Sequence, residues 1–245
     1  MLGDLETIEN SEFNNIGALL GIDGTDISNE LLGALRALPP IRRQMAINKL
    51  TTPMLGSRGS RAEMEKHFRE LPAHIRSELS KGNLRLADAL IYSIKPVTSK
   101  TIKLFETQDD KEIGLRNISN AKLPKNQALL VSGIILLAGV PRDAKDSSKD
   151  GVMAIDFGAI EGYPAIANGE SNLKANKKII MPETSNNFFK TAGIATLPVG
   201  YYKLANPRLI HDDIQIEYTV ELGTMKGIAE NTQLFVGLHG TITTP

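Results

Sequence analysis

One stretch of nine residues constrains the fold more than any other. Ile214-Gln215-Ile216-Glu217-Tyr218-Thr219-Val220-Glu221-Leu222 alternates apolar and polar side chains without a break. Successive side chains of a strand point to opposite faces, so the stretch reads as a strand with one dry and one wet face. A second run, Leu234, Val236, Leu238 and Ile242, keeps one parity around Gly240 and reads as its antiparallel neighbour.

From Thr101 onward, short apolar runs are separated by Gly, Asn, Asp and Pro. Strands are expected near 101–106, 113–118, 128–139, 152–160, 173–181, 198–203, 214–222 and 232–242. Turn chemistry is expected at Gln108-Asp109-Asp110-Lys111, Asp150-Gly151, Asn168-Gly169, Ser185-Asn186-Asn187 and Asn206-Pro207. Strands at this spacing, without long helices between them, point to an antiparallel sandwich or barrel rather than a βαβ fold. A stretch of about 145 residues suits one eight-strand jelly roll and is too short for two.

The first hundred residues differ. Residues 1–24 are weakly patterned and rich in Asn and Gly, as suits an extended arm. Leu31, Leu32, Leu35 and Leu38 recur at helical spacing behind Asp26 or Ser28 as caps, and Pro39-Pro40 stops that helix. A short helix is expected over Ile41–Leu50, and Gly56–Gly59 is a joint. Ser60-Arg61-Ala62-Glu63 matches a capping box for a helix to about Leu71. Pro72 opens another, and Lys81-Gly82 ends it. Leu84–Ile94 fits neither the helical nor the strand period. The expected fold class is therefore mainly β with an α-helical N-terminal extension: an arm and short helices over 1–97, then a single jelly-roll-like antiparallel β-sandwich over 98–245.

Charge is balanced, with 28 basic and 28 acidic residues, but it is unevenly placed. Residues 1–35 carry acids and no Lys or Arg, whereas 36–100 carry 13 basic residues against 5 acidic ones. Arg42, Arg43, Arg58, Arg61, Arg69 and Arg76 are thus candidate contacts to nucleic acid or to neighbouring copies of the chain.

The remaining chemistry is sparse. Without cysteine there is no disulfide framework, thiolate site or Cys nucleophile. His67 and His74 lack the acidic companion of a zinc-protease helix, and Asp23–Glu30 lacks the ligand ladder of a calcium loop. His211-Asp212-Asp213, the one His-carboxylate cluster, reads as a solvated turn. Glu217 and Glu221 lie roughly 13 Å apart along a strand, beyond the span of a glycosidase pair, and Asp156 and Glu161 supply no obvious partner. No catalytic set, cofactor or metal is expected. The opening residues have no basic-then-apolar leader, and the run Ala128–Val140 is too short to span a bilayer. The expectation is cytoplasmic synthesis and no integral membrane segment.

Three segments carry a likeness: Leu123–Val131, Asn206-Pro207-Arg208-Leu209-Ile210, and Gln233–Ile242. With the helical arm and the basic middle, the chain resembles the jelly-roll capsid proteins of small tailless icosahedral bacteriophages. The resemblance implies a virion coat protein whose partners are copies of itself, other virion proteins and, through the basic segment 36–100, packaged nucleic acid. The alternative is a β-sandwich glycan- or ligand-binding module of the lectin or adhesin kind. A glycosidase-like enzyme on the same scaffold ranks third, and a shell fold built on a long spine helix fourth.

Overall fold

The computed structural model describes residues 64–143, 146–191 and 198–245. The helices expected over 28–38 and 41–50, the capping box at Ser60–Glu63, and Arg42, Arg43, Arg58 and Arg61 lie outside these residues.

Among the described residues, eight antiparallel strands form two four-stranded sheets. The first has the order β1 (Arg85–Pro96), β8 (Gln233–Thr244), β3 (Ala128–Gly139), β6 (Tyr201–His211). The second runs β2 (Thr101–Lys103), β7 (Ile216–Glu221), β4 (Glu170–Ala175), β5 (Lys178–Ser185). First pairs with last, second with seventh, third with sixth and fourth with fifth. Two further seams, β3 with β8 and β4 with β7, complete the sheets.

The core lies between the sheets. Ile216, Tyr218 and Val220 of β7 face it while Glu217, Thr219 and Glu221 face away, as the alternation requires. The expected pairing of β7 with β8 does not occur, because the two strands belong to opposite sheets. Both strands offer the same buried parity, and that pattern alone fits facing sheets as well as adjacent strands.

β3 has no alternation because both its faces are covered. Leu129, Val131, Ile134, Leu136 and Ala138 enter the central core, the parity switching at a bulge between Val131 and Gly133. On the outer face Ala128 and Leu130 pack with Met64, Leu71, Ile75 and Leu84. These belong to α1 (Ala73–Ser80) and its flanks. Pro72 occupies its N-cap; Gly82, at φ +78°, follows its C-cap Lys81. Gly82 N donates to Leu79 O and Asn83 N to Glu78 O, a Schellman closure that matches the expected boundaries. At the other end of the same face, Ile94 packs with Val152 and Ile155 beside α2 (Lys149–Met153).

Five expectations are corrected. The ambiguous segment before Lys95 is β1, paired with β8 over its whole length, so the sheet begins at Arg85 and not after 97. The strand expected at 113–118 is a loop along the free edge of β1. Gly114 at φ +92° breaks it, the Asn117 side chain accepts from Tyr92 N and donates to Leu90 O, and Leu115 O accepts from Ile94 N. That at 152–160 is α2 and a turn: Ser148 Oγ accepts from Gly151 N, so Asp150-Gly151 starts a helix and not a turn between strands. The single strand at 173–181 is the hairpin β4–β5, reversed by Asn176 and Lys177 at φ 48° and 64°. Asn206-Pro207 is no turn; it lies in edge strand β6, where 204–207 oppose Ser132 alone. A bulge on an edge tolerates a proline, whose missing N–H has no ladder bond to make.

Candidate functional site

At one end of the sandwich β1 and β3 begin and β6 ends, and α1 packs beside them. Three connections meet there. Gln215 bridges to Lys122, Gln215 O accepts from Asn176 N, and Gln127 O accepts from Asp212 N. Asp212 is the centre of this end. It is only 3% exposed, so the reading of His211-Asp212-Asp213 as a solvated turn is corrected. Its Oδ2 accepts from Asn126 N at 2.8 Å and lies 3.0 Å from His74 Nε2, with the imidazole as donor because a carboxylate only accepts. His211 Nδ1 lies 2.8 Å from Asp212 O and 3.5 Å from Oδ1. Burial alone would raise the Asp212 carboxyl, but the Asn126 N–H and the two histidines hold it below its usual range.

The network runs on into the sheet. Thr243 Oγ1 donates to Asn126 O and accepts from Ala128 N. Helix α1, the loop before β3, the β6–β7 turn and β8 are thereby joined through one buried carboxylate. Asp213, at φ +64°, carries the tight turn that aims Asp212 inward. His74 and Asp212 are 138 residues apart, which hides the pair in the sequence. Among the described residues no group of three His, Asp or Glu side chains is placed to hold a metal ion.

A second charged cluster ties the loop after β2 to β1. Lys95 Nζ lies 2.5 Å from Glu106 Oε2 and 2.7 Å from Asp109 Oδ2, and Arg116 lies 3.8 Å from Asp109 Oδ1. Two cations thus face two anions, and Ser93 Oγ donates to Leu104 O beside them. The arrangement neutralises itself and fixes a loop.

Of the predicted contact residues, Arg69 and Arg76 are exposed, Arg69 on a 3-10 turn (Phe68–Glu70) and Arg76 on α1. The carboxylates weighed for glycoside chemistry do not converge. Asp156 and Glu161 are exposed on the loops between β3 and β4; Glu217 and Glu221 stand on the open face of β7, opposite Lys174 and Glu170 respectively. A shallow depression of about 200 Å³ is lined by Pro164, Ala165, Asn168, Gly223, Thr224 and Lys226. It falls below the ~300 Å³ where small-molecule sites begin and gathers one titratable group. The Asp212 and Lys95 clusters therefore act as ties between loops and strands.

No protein-family model matches the chain, and no curated protein matches it.

Proposed function

We propose that the chain is a coat subunit of an icosahedral virion, a single jelly roll that self-associates into a shell. The observation that carries this reading is the strand order, β1-β8-β3-β6 facing β2-β7-β4-β5. A long two-stranded ribbon pairing first with last and fourth with fifth, rolled into a barrel, produces that order with both extra seams. Rolled ribbons of eight strands recur in viral capsids and in lectin domains, so the order narrows the field without deciding it. The coat reading is favoured, among the described residues, by the self-contained Asp212 and Lys95 clusters and by the shallowness of the depression beside Pro164. It is also favoured by the resemblance to tailless-phage coat proteins, and on this reading the N-terminal extension makes contacts between subunits.

The test is assembly. The purified full chain is expected to form shells or defined oligomers in negative-stain images and in light scattering. A strictly monomeric, compact particle at high concentration removes the reading. The lectin reading takes its support from the same strand order. A reproducible hit on a glycan array, abolished by changing the loop at 223–226, would replace the coat proposal with it.

A further inference from the structure

The fold sorts charge that the sequence leaves scattered. Lys122 and Lys125 are far in the chain from the adjacent pair Lys177 and Lys178, yet all four are exposed on the connections at the α1 end, Lys178 at the start of β5. None makes an ion pair among the described residues. Arg76 of α1 and Arg85 at the start of β1 extend the same sign at that end. Of the acids there, Glu78 pairs with Lys81 and Asp212 with His74, while Glu217 stands across the β4–β7 seam from Lys174 and Asp213 is exposed. At the far end the exposed side chains include Asp150, Asp156, Glu161, Glu170 and Glu230. Among the described residues the sandwich therefore has a basic end, whereas at the far end acids are mixed with the exposed Lys100, Arg142, Lys149, Lys190 and Lys226.

The basic end is also stiff. Asn126, Asn176 and Lys177 hold positive φ in tight turns, and the Asp212 network locks the loop that carries Lys125. Lys122, Gln215 and Asn176 lie on three successive backbones, so amines are presented across about 10 Å, two strand spacings. Lysines carried on fixed backbones spaced in this way can contact phosphates without reading bases. No exposed aromatic residue stands on these turns, so the contact is to the backbone and not to stacked bases.

We infer that the lysine-bearing end of the sandwich binds the phosphate backbone of nucleic acid without reading its sequence. The inference deepens the coat reading by naming a partner for one end of the subunit. It rests on that reading only for the identity of the nucleic acid as a packaged genome. A second copy docked end to end fits less well, because Lys100 and Lys226 are interleaved with the acids of the far end and would meet lysine. A phosphate backbone carries one sign throughout.

The experiment uses the full chain freed of nucleic acid and follows the anisotropy of a labelled, random-sequence DNA duplex of about 30 base pairs over a salt series. A single-stranded RNA of similar length and phosphatidylserine vesicles form parallel arms. The parent is expected to bind both nucleic acids. Reversing Lys122, Lys125, Lys177 and Lys178 to Glu is expected to weaken duplex binding about 100-fold at about 50 mM salt. It should also make the slope of log K against log salt shallower by about 3 to 4. Reversing Lys100 and Lys226 at the far end should leave the slope unchanged. If the Glu variant fails to fold, the four Lys→Gln changes should give the same loss of slope with a smaller loss of affinity. An unaltered slope in the Gln or Glu variant, no nucleic-acid binding by the parent, or binding to vesicles alone would each overturn the inference. Assembly is scored separately by light scattering, so shells that ignore nucleic acid refute this inference and leave the coat reading intact.

Discussion

The two sheets are built by different rules. Strands of the first are 11 or 12 residues long, and its inner pair, β3 and β8, is buried along almost its whole length. Those of the second are 3 to 8 residues long, and β7 keeps a wet face. The difference comes from what lies outside. The α1 and α2 regions cover the two ends of the first sheet's outer face, whereas Glu217, Thr219 and Glu221 of β7 turn away from the core with no satellite cluster of the described residues against them. Alternation is thus a signature of one-sided burial. The plainest strand in the sequence belongs to the lighter sheet, and the most deeply buried strand shows no alternation at all.

Mutations can break that contrast. The largest effect is expected from Leu130→Ala on the outer face of β3, about 3 kcal/mol by urea unfolding, as for any buried leucine. A loss below about 0.5 kcal/mol, typical of a surface site, would mean that α1 does not cover the sheet. Next, Gly240→Ala should cost about 2 kcal/mol, because an added Cβ would run into the backbone of Leu130 across the β3–β8 seam. An unchanged unfolding midpoint would refute that close approach.

Asp212→Asn should cost about 1–2 kcal/mol near neutral pH by weakening the tie between α1 and the first sheet. Its pH dependence gives a sharper readout. The Asp212 carboxyl is held below its ordinary value, so its contribution is present above the unfolded pKa of about 4 and disappears as pH falls through the folded value. The parent should therefore lose more stability on acidification than the variant does, and parallel pH profiles would exclude the tie. Smallest of all, Glu217→Gln and Glu221→Gln on the open face of the second sheet should each move stability by no more than about 0.5 kcal/mol. A larger change there would mean that this face too is covered.

What could be read in advance follows from the same contrast. β3 was legible to the residue because twelve apolar or small residues between turns can only be buried. β7 was legible from its alternation. β1 was not, since its exposure changes along its length: open near Arg85, edged by Asn117 at its middle and covered by Phe235 and the α2 region near Ile94. The Pro72–Gly82 helix was legible because its signals are local, a proline at one end and a left-handed glycine at the other. The Asp212 network and the lysine-bearing end were invisible for the opposite reason. Their members lie tens of residues or more apart, and only closing the sheets brings them together.

The position of β8 between β1 and β3 has a consequence in time. Among the described residues β1 makes its ladder only with β8, whose first residue follows the last of β1 by more than a hundred positions. At ribosomal speeds of about 5–20 residues per second, β1 waits roughly seven to thirty seconds for its partner. During that wait its apolar residues Ile91 and Ile94 have no ladder beside them, and β3 lacks one of its two neighbours. Closure is then late and long-range, the slow regime of folding. The interval in which an unfinished chain is open to aggregation, or to a chaperone, is set by the strand that joins both halves of the first sheet.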